Sequence, residues 1–141
     1  MILLNTNVVS EPLKLAGDAS VLNWIDAQTI ETLYLSAISL AELRFGIAAL
    51  PSGKRRDTLH TSVEQRILPL FAGRILSFDA AASEAYAQLR AFARAQGHAI
   101  APADGYIAAT AKIHGLIVAT RDTGPFEAAG LSVINPWHVP H

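Results

Sequence analysis

The chain has 141 residues, with 11 Lys and Arg against 12 Asp and Glu and a formal net charge of −1. Apolar residues make up 51% and charged residues 16%, which excludes a disordered chain and allows one sizeable core without disulfide or metal staples. The absence of cysteine excludes thiolate catalysis and Cys-based zinc sites, and the near-zero charge means that any nucleic-acid contact must rest on local patches.

In chain order, Ile2 to Leu4 is an apolar run that stops at Asn5-Thr6-Asn7, as a buried strand does where it meets a polar loop. It is too short for the core of a signal peptide, and no apolar run approaches the ~20 residues of a membrane span. The expectation is a cytoplasmic protein with no membrane contact. Val8 to Pro12 reads as a helical turn ended by Pro12, and Asp18 as the N-cap of a short helix running to about Ala27. Leu33 to Ala37 reads as a second strand. Ser39-Leu40-Ala41-Glu42 has the form of a capping box opening a helix with Leu43, Ile47 and Leu50 on one face. After the break at Pro51 to Lys54, Leu59, Val63, Ile67 and Leu70 form the stripe of a further helix. Arg74 to Phe78 is a strand candidate.

Asp79 or Ser83 starts the next helix, with Ala82, Tyr86, Leu89 and Ala93 inward and Gly97 closing it. Pro102-Ala103-Asp104 opens another, capped by Gly115. Leu116 to Thr120 is a nearly all-apolar strand ending in Thr120-Arg121-Asp122, and Leu131 to Ile134 is a last short strand. The alternation predicts one α/β domain over residues 1–141, with a central, mainly parallel sheet.

The informative feature is where the acids fall. Ligands of an open parallel sheet collect at the carboxyl ends of its strands. Position 5 ends the first strand and Asp122 follows the fourth, while Glu42 and Asp104 lie in opening turns of helices, which right-handed crossovers bring to the same edge. Converging carboxylates repel unless a cation joins them. All-oxygen ligation suits Mg²⁺ or Mn²⁺, an ion able to polarise a phosphodiester and activate water. Each acid also has a plain reading: Glu42 as the last member of a capping box, Asp104 as a dipole partner, Asp122 as a turn residue.

Four segments carry a resemblance. Leu3-Leu4-Asn5-Thr6-Asn7-Val8, Ser39-Leu40-Ala41-Glu42-Leu43, Ala103-Asp104-Gly105-Tyr106-Ile107-Ala108-Ala109 and Ala119-Thr120-Arg121-Asp122 resemble, in order and interval, the motifs of PIN-domain proteins. Within these the chain is most similar to the VapC toxins, FitB-like members especially, through the Asn135-Pro136-Trp137 ending. The resemblance implies a three-layer α/β/α sandwich, usually a homodimer, with Mg²⁺ (or Mn²⁺) held by position 5, Glu42, Asp104 and Asp122. Thr120 would place the water or metal shell, and Asn7 would support the pocket. It also implies an endoribonuclease toxin acting on structured RNA, often transfer RNA. A cognate antitoxin of ribbon-helix-helix type would block the pocket, commonly with an arginine.

The chain departs from this pattern at Asn5, where the family has aspartate. Two unit charges ~4 Å apart interact by roughly 4 kcal/mol at an intermediate dielectric, so losing one implies an inactivated or weakened nuclease. The other reading is a binding protein that completes a DNA-bound complex with its antitoxin, reaching operator DNA only through that partner. Asn5 and Asn7 argue against a haloacid-dehalogenase phosphatase, which needs acids at both positions. Arg44, Lys112 and Arg121, near the motif acids in sequence, are the candidate phosphate contacts. Lys54-Arg55-Arg56 reads as a solvated cluster, the five histidines as surface or packing residues with His138 and His141 in a mobile tail, and Trp24, Tyr86 and Phe92 as core or dimer interface.

Overall fold

A computed structural model of the chain describes residues 1–138; His141 lies outside them. Five strands pair in parallel throughout: β1 (Ile2–Leu4), β2 (Leu33–Ser36), β3 (Ile75–Leu76), β4 (Ile117–Ala119) and β5 (Val133–Ile134), in the order β3-β2-β1-β4-β5. From β1 the chain moves outward through β2 to β3, then crosses back to β4 on the other side of β1 and outward again to β5. With right-handed crossovers, reversing the direction of travel puts the helices on opposite faces. The first face carries α1 (Thr6–Val9), α2 (Ala19–Asp26), α3 (Ala37–Ala48), α4 (Lys54–Ser62) and the single turn α5 (Leu68–Leu70). The second carries α6 (Ala80–Ala95), α7 (Pro102–His114) and α8 (Thr123–Ala128). The result is an α/β/α sandwich.

Period-2 alternation divides the core between the two faces. Leu4 and Ala119 join Val21, Trp24, Leu43 and Val63 under the first layer. Their neighbours Leu3 and Val118 join Leu89, Ile107, Ala109 and Phe126 under the second. Asp79 caps α6 through Ala82 N and Asp18 caps α2 through Ser20 N and Val21 N. Gly115, at φ +65°, ends α7 in the left-handed conformation that glycine adopts without strain.

Three expectations are corrected. Pro12 does not end the first helical turn: α1 stops at Val9, and Pro12 sits inside a following 3₁₀ turn, Glu11–Leu13, where its missing N–H is not needed. The N-cap of α3 is Ser36, which accepts from Ser39 N at 3.0 Å. Ser39 is therefore in the first turn and Glu42 in the second, so Glu42 caps nothing. Leu70 does not complete the stripe of its helix. A π turn over Val63–Ile67 adds a residue to one turn and rotates the face that follows, so Leu68 packs inward and Leu70 is 54% exposed. Trp24 is in the core, whereas Phe92 is exposed.

The loop entering α2 is held by one buried carboxylate. Glu11, 4% exposed, accepts from Asp18 N at 3.0 Å through Oε1, and its Oε2 stands 3.0 Å from Lys14 Nζ without other hydrogen bonds. Gly17 passes so close that a Cβ would lie 2.8 Å from the Glu11 carbonyl oxygen. Burial alone would raise the Glu11 carboxyl, but the Asp18 amide and the Lys14 ammonium outweigh it and hold it below its ordinary value. A depressed carboxyl stabilises the fold above the unfolded-state pKa and loses that contribution as pH falls through the folded value. Glu11→Gln keeps one hydrogen bond but loses the charge, and should cost about 1 kcal/mol at pH 7. In urea titrations that cost should shrink towards zero near pH 3; a pH-independent difference would refute the charge assignment.

Candidate active site

In a sheet of order 3-2-1-4-5, chain leaving β1 and chain leaving β4 turn in opposite directions, opening a crevice at their carboxyl ends. Asn5 follows β1 and Thr120 follows β4. Asn5 N donates to Ala119 O at 2.9 Å and Thr120 N to Ile134 O at 2.9 Å, so the ladder runs one residue past each strand and fixes both backbones. Between them lies a buried link. Asn5 Oδ1 accepts from Thr6 N at 2.9 Å and Asn5 Nδ2 donates to Thr120 Oγ1 at 3.0 Å. The same hydroxyl oxygen accepts from Asp122 N at 3.0 Å. Asn7 Oδ1 accepts from Arg121 N at 3.4 Å, a second tie between the two loops.

The remaining acids reach the crevice from helices. Glu42, on the second turn of α3, is exposed, and its Oε1 accepts the Thr6 hydroxyl at 2.7 Å. Asp104 is the third residue of α7 and half-buried. Asp122 is exposed at the start of α8, where its side chain makes no cap hydrogen bond. The carboxyl of Asp104 is pushed above its ordinary value, first by burial and then by the negative charges of Asp122 and Glu42. The three acids therefore share one electrostatic neighbourhood, although they come from three different elements. No Lys, Arg or His forms an ion pair with any of them among the described residues.

Of the plain readings, capping fails for Glu42 by position, and Asp122, read as a turn residue, stands at the N-cap position of α8 with its side chain making no cap bond. Asp104 does sit in a helix's first turn, where a negative charge is favoured, yet its carboxyl is pushed up, by burial first and by the neighbouring acids second. Thr6, which donates its hydroxyl to Glu42, is not singled out by the sequence; its polarity beside Asn5 is the available signal. Of the three proposed phosphate contacts, Arg44 is taken up in a two-pronged pair with Glu64, at 2.9 and 2.9 Å. Lys112 lies in the last turn of α7, away from Asp104. Arg121 is exposed beside Asp122, its guanidinium 5.2 Å from the Trp137 ring. His60, His98, His114 and His138 are exposed on separate segments.

The donor set, three carboxylates and an amide oxygen, is the chemistry of a hard divalent ion. Among the described residues no three His, Cys, Asp or Glu side chains already surround one point, and Glu42 is turned to the Thr6 hydroxyl. The residues fit such an ion by donor type.

Two stability measurements test this geometry. Thr120→Val keeps the shape but strands the buried Asn5 amide and removes the acceptor of Asp122 N; it should destabilise by roughly 2 kcal/mol. Asp104→Asn, in contrast, relieves like-charge repulsion. Without divalent ions it should stabilise at pH 7 by about 0.5 kcal/mol, the scale of a partly exposed charge pair. A melting temperature lowered by Asp104→Asn would contradict a shared acidic site.

Comparison with known proteins agrees with this architecture. The PIN domain family matches residues 2–131. The VapC ribonuclease Y4jK of Sinorhizobium fredii is 62% identical over 137 residues, 97% of this chain and 98% of that protein. Toxin FitB of Neisseria gonorrhoeae is 58% identical over 138 residues, 98% of this chain and 99% of that one. The structure of FitAB bound to an IR36 DNA fragment contains a chain that superposes with a TM-score of 0.97 at 56% identity, covering 100% of this chain and 99% of that one. By four ordered motifs, parallel sheet and near full-length similarity, the chain belongs to the PIN-domain family, among the VapC and FitB toxins.

Proposed function

We propose that the chain is the toxin of a cytoplasmic toxin–antitoxin pair and an endoribonuclease dependent on Mg²⁺ or Mn²⁺, acting on structured RNA such as transfer RNA and weakened by Asn5. The observation that carries this reading is the meeting of Asn5, Thr120 and Asp122 at one sheet edge through hydrogen bonds, with Glu42 tied to the same place through Thr6; the Asp104 carboxyl, raised first by burial and then by the charges of Asp122 and Glu42, agrees with it. Acids gathered from three elements and left without cations are costly to stability and useful for holding a divalent ion.

In this reading Glu42, Asp104, Asp122 and the Asn5 carbonyl oxygen hold the ion. When bound, the ion supplies charge neutralisation at the scissile phosphate and a more acidic water. The chain's own groups do the rest. Thr6 holds the Glu42 carboxylate until the ion takes it up, and the Thr120 hydroxyl sets the distance between Asn5 and the Asp122 backbone. With an amide at position 5 the set is one negative charge short. At an intermediate dielectric two unit charges about 4 Å apart interact by roughly 4 kcal/mol, about three powers of ten in affinity, and the double charge of the ion makes that a lower bound before screening. Mg²⁺ or Mn²⁺ titration by calorimetry should give markedly tighter binding for Asn5→Asp, and the same variant should gain metal-dependent cleavage of total RNA. Equal cleavage by both forms would defeat this account of position 5.

Asn5 and the FitAB–DNA complex favour a second reading: a non-catalytic subunit that completes an operator-bound complex with a ribbon-helix-helix antitoxin. A chain of net charge −1 leaves the DNA contacts to that partner. Operator binding by antitoxin alone and with this chain, beside the RNA assay of Asn5→Asp, separates the two. The homodimer belongs to both readings and predicts a mass near twice 15.0 kDa by light scattering.

A further inference from the structure

The face of α6 that packs on α7 carries charge that the acidic crevice does not use. Gly105, directly after Asp104, has no room for a side chain: a Cβ would lie 2.8 Å from Tyr86 Cε2 and 3.2 Å from Arg90 Cδ. Tyr86 and Arg90 thus press on the turn that carries Asp104. Arg90 is half-buried and held, its Nη1 donating to the Tyr86 hydroxyl at 2.7 Å and its guanidinium carbon 5.4 Å from that ring. Among the described residues it has no carboxylate partner, unlike Arg44.

An open groove of ≈ 1030 Å³ runs along this face, lined by Arg90, one turn later Arg94, and His98, with no acidic side chain in its lining. At Gly97–Ala99 it continues into a smaller depression bordered by Gly124 and Pro125, within three residues of Asp122 in the chain, with Glu127 at its border. The groove therefore begins at Tyr86 and Arg90, beside the turn of Asp104, and its continuation reaches the first turn of α8, which directly follows Asp122 in the chain. An acidic crevice flanked by a preorganised cationic track suits a polyanion, one of whose phosphates is brought to the carboxylates by an ion while its neighbours are neutralised outside. An acidic peptide would have no use for the carboxylate end.

We propose that the groove of Arg90, Arg94 and His98 binds the sugar–phosphate backbone of the RNA strand flanking the cleaved bond. This rests on the nuclease reading for its biological purpose, but the binding is measurable without cleavage. The probe is a labelled single-stranded RNA of about 12 nucleotides, titrated by anisotropy with the intact Asn5 chain in EDTA. Arg94 is exposed, so Arg94→Gln tests the groove without disturbing packing, and Arg90→Gln beside Arg90→Lys tests charge at the held position. Arg94→Gln should raise Kd roughly fivefold and flatten the salt dependence by about one phosphate's share. Arg90→Gln should do the same with Arg90→Lys largely rescuing it, while Lys54→Gln/Arg55→Gln on the opposite layer stays within about twofold.

Equal losses in the groove and control variants would overturn the proposal, as would competition by an acidic peptide matching that by RNA. A change of oligomeric state in Arg94→Glu would also overturn it, making the face a contact between copies. The two readings fail separately. If the Asn5→Asp chain cleaves RNA with a KM indifferent to Arg94→Gln, the groove is wrong and the nuclease stands. If it never cleaves while RNA binding follows Arg90 and Arg94, the groove stands alone.

Discussion

The structure turns on the pairing of β1 with β4 and the buried side-chain link that extends it. Leu3 pairs with Val118 and Leu4 with Ala119; one residue further on, Asn5 and Thr120 meet through their side chains. Because every strand is parallel, each return of the chain needs a crossover, and β1 and β4 send theirs in opposite directions. No connection can therefore fill the space beyond their carboxyl ends. Polar groups placed there cannot be absorbed into a core, and the chain satisfies them with one another. The Thr120 hydroxyl oxygen, fully buried, accepts from both Asn5 and Asp122, so two loops far apart in sequence move as one unit. The helices carrying Glu42 and Asp104 pack on opposite faces of this same pair of strands.

Charge is distributed accordingly. Where acids serve the fold they are paired: Glu11 with Lys14 and the Asp18 amide, Glu64 with Arg44. The Glu64 carboxyl is held low by Arg44, whereas the Asp104 carboxyl is pushed up by burial and then by its acidic neighbours. The two shifts have opposite signs because one acid is compensated, while the other is half-buried without a cation among the described residues and is also crowded by like charges. Crowding of that kind persists only where folding energy comes from elsewhere, here the two apolar layers on either side of Leu3 and Leu4.

Much of this was legible in the sequence because each element carries its own local signal. Apolar runs ending in polar residues gave β1 and β4, Asp18 and Asp79 gave helix starts, and Gly97 and Gly115 gave helix ends. The errors arose where two signals competed or where a contact overrode a pattern. Ser39 and Glu42 have capping-box spacing, but β2 runs into α3 with no loop, so Ser36 caps first and Glu42 moves to the second turn. The π turn after Ser62 displaced Leu70 without changing composition. The site was legible as positions, since strand ends and helix starts share an edge in any such sheet. Partners were not: nothing local says that Arg44 finds Glu64 or that Arg90 lies on Tyr86, because those pairs depend on how α3 packs on the following helix and how α6 packs on α7.

Position 5 shows how little geometry separates a catalytic from a non-catalytic form of this fold. Asn5 is well satisfied, its oxygen facing a backbone donor and its nitrogen facing a hydroxyl that is itself able to donate. An aspartate of the same shape could keep the Thr6 N–H and receive the Thr120 hydroxyl proton once that rotor turned, while Asp122 N would still find the hydroxyl oxygen. The change from carboxylate to amide therefore leaves the backbone ladder, the cap of α1 and the Thr120 link standing, and alters only charge. A protein that needs this crevice just to seat a partner loses nothing by carrying Asn5, since neither apolar layer depends on it. One that needs an ion there loses a large part of its hold on it, and that asymmetry makes position 5 the point at which the two readings divide.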